Sequence, residues 1–346
     1  MLVTIRVRIV SPRSTKSGWH CHLWRPSAYL LITQPSQMNP KRLPRSLFKY
    51  RSFGTYTLRM VSEAEVFFAK PSTFNDPFDC NPTVFVDVEW KDVERLWKSI
   101  ALKQMGKEKA IDAINHYRYG ATEDGGTHDD GGNGSQIYTR FLVRDIEAFV
   151  KTRFKEHGVL SLASHWDNPL MWSHYANEHR GICIEYRTED HRCDMLGPVN
   201  YQSSRYLKVS DLIEWLLRRS SSIKAKIFDQ YFFAKAPQWK YEKEWRVVSK
   251  TNGPQDRPFR IDSVHFGLRC DVSIITTIVK LLADLAEGPK FYQIGSRDDG
   301  FKLVRYQIDS SEISAFGLRE SSHFSMDDFQ FDPLMAIGKI SGRQLE

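Results

Sequence analysis

No apolar run in the 346 residues approaches the roughly 20 needed to cross a bilayer, so the sequence shows no membrane segment. Cysteine is sparse. Cys21, Cys80, Cys183, Cys193 and Cys270 are odd in number, far apart, and form no C-x-x-C pair. A disulfide framework and a thiolate zinc site are both excluded, leaving a reduced, cytoplasmic setting as the expectation. The common catalytic signatures are missing as well: there is no G-x-G-x-x-G, no phosphate loop, no H-E-x-x-H and no G-x-S-x-G. His174 and His179 stand five apart, so a helix puts them on different faces, and no metal is expected.

Acid is absent from the start of the chain, where the first carboxylate is Glu63. Residues 1–46 hold eight Lys or Arg and account for the whole of the net charge of +7. Taking those eight from the 49 basic residues leaves the rest level with its 42 acids to within one charge. The globular part is therefore neutral, and the overall charge gives no indication of nucleic acid. Residues 1–45 show no sustained period and no signal-peptide core. They read as a poorly ordered, non-native extension, with Met38 as the expected start.

What is present is a globular, aromatic-rich chain, with 41% hydrophobic and 13% aromatic residues. Strands and helices mix without regular βαβ alternation. The expectation is an α+β fold with a mixed, mostly antiparallel, possibly split sheet, flanking helices and a helical insertion. One domain is expected over 46–310, the insertion over 89–157, and a tail over 311–346. Residues 120–135 hold six of the 20 glycines and almost nothing apolar, and read as a mobile loop. In "FNDPFD", Asn75 is expected to hold a turn that positions Asp76 and Asp79.

Three separated segments place polar groups inside apolar elements. "FKYRS" puts Lys49 and Arg51 on one strand face and Tyr50 on the other. "MWSHYANEHRGICIEY" places Trp172 and Tyr175 one helical turn apart. "QWKYEKEWRVV" reads as a strand over 239–248, with Glu242, Glu244 and Arg246 sharing one face against Trp239, Tyr241 and Trp245 on the other. That polar face either meets water or lines a site. A metal-dependent nuclease of the D…E-x-K type fails on spacing, because Glu242 and Lys243 are adjacent and Glu244-x-Arg246 offers arginine where lysine is needed.

The landmarks "LFKYRS", "VFFAKPSTFNDPFD", "LSLAS…NPLMWSHYANEHRGICIEY", "FFAKAPQWKYEKEWRVV" and "VHFGLR" resemble, in order and spacing over about 47–306, the bacterial family of domain of unknown function 2971. The order Arg51, aromatic segment, Glu242-x-Glu244 is also similar to that of ADP-ribosyltransferases, although no S-T-S stands on a middle strand. That second resemblance implies an enzyme consuming NAD. Glu244 would stabilise a cationic ribose, and Glu242 would orient or deprotonate the acceptor. Arg51, with Tyr50 and Arg246, would contact the dinucleotide, and Trp172 or Tyr175 would stack on the nicotinamide. The acceptor stays open between protein, nucleic acid and small molecule. The alternative is a non-enzymatic binding or regulatory module in which the Glu–Arg face makes surface ion pairs of little worth. Convergence of Arg51, Glu242 and Glu244 in one concave pocket beside an aromatic separates the two readings.

Overall fold

The computed structural model describes residues 43–123, 133–189, 191–193, 195–282, 288–297 and 300–315, all within one compact unit, Pro35–Glu346. Most of the expected extension at 1–45, most of the glycine-rich loop and most of the C-terminal tail lie outside these residues. Leu43, Pro44 and Arg45 are described and belong to the fold, Leu43 packing on the core and the Pro44 and Arg45 carbonyls accepting from Thr188.

In chain order the elements are β1 (Ser46–Arg51), α1 (Thr55–Ser62), β2 (Glu65–Phe68), β3 (Thr83–Phe85), α2 (Trp90–Met105), α3 (Lys107–Glu123), α4 (Asn133–Phe154), β4 (Gly158–Ala163), α5 (Pro169–Tyr175) and β5 (Ile182–Arg187). They continue with β6 (Leu196–Pro198), β7 (Tyr206–Lys208), α6 (Val209–Leu216), α7 (Ser221–Phe233), β8 (Glu244–Ser249), β9 (Gly253–Asp256), β10 (Arg260–Phe266), α8 (Val272–Leu282), β11 (Lys290–Ser296), β12 (Leu303–Gln307) and α9 (Ser310–Ala315).

Eight strands form one sheet in the order β12-β11-β10-β5-β1-β4-β8-β6. Only β10 and β11 run parallel within it; the other neighbours are antiparallel. The fold is α+β, with helices flanking a mostly antiparallel sheet. The periodicity over 89–119 is cut in two by Gly106, whose φ of 84° closes α2 in a conformation that suits glycine.

The junction of β1 with β4 is incomplete. β1 pairs with β5 at six register positions, from Ser46↔Arg187 to Arg51↔Ile182, but with β4 only at Phe48↔Ala163. The sheet opens beyond that point. Lys49 Nζ reaches across and donates to the Ser161 carbonyl at 2.6 Å, so a side chain substitutes for missing ladder bonds.

Three apolar clusters surround this opening. Val93, Leu96, Trp97, Tyr138, Leu142 and Ile146 pack the helical insertion onto α6 and α7. Leu47, Leu160, Ile184, Val247, Val264 and Ile278 join the sheet to α1 and α8. Phe48, Tyr50, Met171, Trp172 and Cys183 form the third, beneath α5. Gly181 is required where α5 returns to β5: a Cβ there would stand 2.2 Å from the Arg51 carbonyl oxygen.

Candidate functional site

The strand expected over 239–248 is half correct. Pro237–Glu242 is a 3-10 turn, Lys243 closes it in the left-handed region (φ 44°, ψ 50°), and the strand begins at Glu244. Aromatic alternation suggested an extended chain, but Pro237 starts the turn and two side chains hold it. Asp76 Oδ2 accepts from Trp239 Nε1 at 2.8 Å, and Asn168 Nδ2 donates to the Tyr241 carbonyl at 2.7 Å. Glu242 and Glu244 are therefore not strand neighbours on one face. They meet because the turn folds Glu242 back toward β8.

Their meeting point is Lys235, just after α7. Its Nζ donates to Glu242 Oε2, and to Glu244 Oε2 at 2.9 Å, with Asp79 Oδ2 at 3.7 Å. Arg246 lies behind Glu244 and is fully buried. Its guanidinium takes both oxygens of Asp79 at 2.9 and 2.6 Å, both oxygens of Glu244 at 2.8 and 3.0 Å, and the Phe232 carbonyl at 2.6 Å. The polar face of β8 thus points inward, into a saturated ion network, and not to a solvated surface.

The charge count of this network explains its titration. Three carboxyls, Asp79, Glu242 and Glu244, face two cations, Lys235 and Arg246, so the cluster balances when one carboxyl keeps its proton. For Glu244, burial opposes ionisation, but Arg246 and Lys235 outweigh it and hold the group well below the usual carboxylate range. Glu242 moves the other way. Burial raises it, with the charge of Glu244 adding to the effect against Lys235. Lys235 stays firmly charged because Glu244 and Glu242 overcome its burial.

Glu242 also takes a hydrogen bond from the Tyr175 hydroxyl at 2.6 Å. Tyr175 ends α5, whose start is fixed by Asn168, an N-cap accepting from Leu170 N at 3.0 Å, followed by Pro169 at the first turn. One Asn168 side chain therefore locks both the helix that delivers Tyr175 and the turn that delivers Glu242.

These groups line a cleft of about 120 Å³ in the opening between β1 and β4. Phe48, Lys49, Tyr50, Tyr175, Lys235, Glu242 and Glu244 form its walls, and Phe74, Asn75 and Asp79 belong to the FNDPFD loop that completes it. It is smaller than the roughly 300–1,000 Å³ of pockets that enclose whole drug-sized ligands. A single sugar or ring fits; the rest of a larger ligand would lie outside. A larger hollow of about 320 Å³, lined by Phe85, Tyr206, Lys208, Asp211 and Lys226, carries no comparable charge network. Among the described residues, no group of His, Cys, Asp and Glu is arranged to hold a metal ion.

The residues indicated by the sequence separate into three groups. Glu242, Glu244, Tyr175 and Tyr50 line the cleft, Tyr50 with its hydroxyl on the His165 carbonyl at 2.8 Å. Arg246 and Trp172 lie behind it. Trp172 is fully buried, its Nε1 on the Trp166 carbonyl at 2.6 Å and its ring edge-on to Tyr50. Arg51 does not line the cleft; its Nε finds no hydrogen-bond partner, and Tyr186 and Tyr56 are among the groups that act on it. Turn-holding falls to Asp76, which accepts from Phe78 N at 2.9 Å, whereas Asn75 is exposed at the cleft. Lys235 carries no sequence signal of a site, and Asp79 is indicated only as a residue positioned by the FNDPFD turn. Both interrupt apolar or turn-forming runs, "FFAKAP" and "NDPFDC".

The comparisons agree with the family resemblance. Residues 171–247, from α5 through most of β8, match the family described as protein of unknown function (DUF2971). The matched segment contains Tyr175, Lys235, Glu242, Glu244 and Arg246. No curated protein and no solved structure matches the chain.

Proposed function

We propose that the chain is a glycosyl-transferring enzyme of the ADP-ribosyltransferase kind, with NAD as the sugar donor and the cleft between β1 and β4 as its active site. The observation that carries this reading is the pair Glu242 and Glu244, held at one lysine with their proton affinities driven apart. Two carboxyls so separated serve as a proton-transfer group and a fixed negative charge. Glu244 supplies the charge that favours an oxocarbenium-like ribose as the bond to nicotinamide breaks. The acceptor's lone pair bonds to the ribose carbon that nicotinamide leaves, and its proton passes to Glu242 in its carboxylate form, which the Tyr175 hydroxyl orients. Nicotinamide departs neutral, taking the bonding electron pair onto its ring nitrogen, and needs no acid. Phe48, Tyr50, Phe74 and Tyr175 are the aromatic side chains that line the cleft beside the bound ring.

Two observations favour the non-enzymatic alternative: Arg51 stands outside the cleft that Glu242 and Glu244 line, so the three do not converge there, and the buried ion network is already complete. Arg246, Asp79 and Glu244 satisfy one another so fully that a purely structural network would look the same. The deciding experiment is incubation of the purified protein with nicotinamide-labelled NAD, with and without cell extract as a source of acceptor. Release of free nicotinamide supports the enzyme; no release and no NAD binding under either condition refutes it.

A further inference from the structure

Two lysines line the cleft, and their surroundings give them opposite characters. Lys235 is ringed by Glu242, Glu244 and Asp79 and is held as an ammonium. Lys49 makes no ion pair among the described residues, and its recorded hydrogen bond goes to the Ser161 carbonyl. A bond to one neutral carbonyl does not compensate a buried positive charge. Burial, then the neighbouring Arg51, lowers this amine to about 7, against the ordinary 10.5. Glu244 of β8 and Glu242 of the preceding turn push the other way, and Lys235 after α7 adds to the lowering. A desolvated lysine beside a second cation is the standard arrangement for a nucleophilic amine.

We propose that Lys49 is a nucleophilic amine that condenses with a sugar aldehyde entering the opening between β1 and β4, forming an imine. The Nζ lone pair bonds to the aldehyde carbon, the carbonyl π pair moves to oxygen, and a proton shifts from nitrogen to that oxygen, giving a carbinolamine. The carboxyl of Glu242 then protonates the hydroxyl. Water leaves, the nitrogen lone pair closes the C=N bond, and Glu242 is left as a carboxylate beside a protonated imine. Hydrolysis reverses each step, and no oxidant or further reactant is required. The opening of the sheet makes this possible. Were β1 and β4 fully laddered, Ser161 O would pair with backbone and Lys49 would have no cleft to face. The choice of a sugar rests on the proposed function, since ribose freed from its base has an open-chain aldehyde; the reactivity of the amine does not rest on it.

The test uses the full chain with glycolaldehyde and cyanoborohydride, which reduces an imine to a stable secondary amine, from about pH 6 to about pH 9, with modified lysines mapped by mass spectrometry. The expected result is preferential labelling of Lys49, half-maximal at a pH of about 7, while exposed lysines lag. Labelling of Lys49 no faster than that of exposed lysines at neutral pH overturns the proposal. No variant is needed for this arm, so a folding defect cannot mask it. A parallel arm replaces glycolaldehyde with ribose 5-phosphate. An adduct on Lys49, absent from Lys49→Met, supports the sugar assignment, and its absence beside successful glycolaldehyde labelling overturns that assignment. Failure of the NAD reading would appear separately, as a lack of nicotinamide release from the unmodified protein.

Discussion

Replacing Arg246 with Met is the most informative perturbation of the fold, because the whole charge network hinges on that side chain. The change keeps an unbranched apolar stem but removes four hydrogen bonds to carboxylate oxygens, one to the Phe232 carbonyl and a contact with the Phe74 ring. Asp79, Glu242 and Glu244 then share Lys235 as their one cation within the cluster. Removing one partner of a buried ion pair costs about 3–5 kcal/mol, since the other charge is left without compensation. Here two carboxylates lose their main partner, so the upper part of that range is expected. At about 2–4 °C per kcal/mol for a domain of this size, a cost of about 4–5 kcal/mol should lower the thermal midpoint by roughly 8–20 °C. Circular dichroism melting at neutral pH measures it. Arg246→Lys should recover only part of the loss, because an ammonium cannot present a planar fork to Asp79 and Glu244 together. A loss below about 1 kcal/mol for Arg246→Met would refute the network as a structural necessity.

Three further outcomes follow from particular contacts. Asp76→Ala removes acceptors for Phe78 N and Trp239 Nε1 and should cost about 1–2 kcal/mol in urea unfolding, whereas Asn75→Ala should change stability little. Gly181→Ala sets a methyl 2.2 Å from the Arg51 carbonyl and should cost about 3 kcal/mol or prevent folding, read by expression yield and melting; unchanged stability would mean the α5–β5 return differs from that described. Lys49→Met should stabilise the protein below a pH of about 7, where the folded chain carries a buried ammonium. As pH rises from there toward about 10.4, the native amine loses its proton while the unfolded one keeps it, so the parent gains stability and the variant's advantage shrinks. An advantage that is flat with pH would contradict the buried, shifted amine.

Much of the fold was legible because its signals are local. Branched and aromatic runs mark β1, β4, β5 and β10, and Asn168-Pro169 marks the start of α5. What escaped depends on distant partners. Trp239–Glu242 carries strand-like alternation, yet it turns because Asp76, 163 residues away from Trp239, and Asn168, 73 residues away from Tyr241, hold it. The short strands β3, β6 and β7 have too few residues to show a period. For the site, residue type pointed to Glu242, Glu244 and Tyr175, but the strand reading gave the wrong reason for their proximity. Lys235 was invisible because a lone charge beside apolar residues reads as surface, and Asp79 was legible as part of a turn but not as a partner of Arg246. The opening of the sheet was beyond reach, since it depends on how little of β1 pairs with β4.

The central claim is that Glu242 transfers the proton while Glu244 is fixed in place by its ion pairs, and comparing Glu242→Gln with Glu244→Gln in NAD turnover tests it most directly. Turnover would be measured as nicotinamide release, and stability by melting of the same samples. The account predicts that Glu242→Gln loses at least about 100-fold in turnover, the scale of a lost acid–base group, while remaining within about 1 kcal/mol of the parent in stability. Glu244→Gln should lose turnover and at least about 2 kcal/mol of stability together, because Arg246 and Lys235 lose their shared anion. A Glu242→Gln protein that releases nicotinamide at the parental rate would contradict the account.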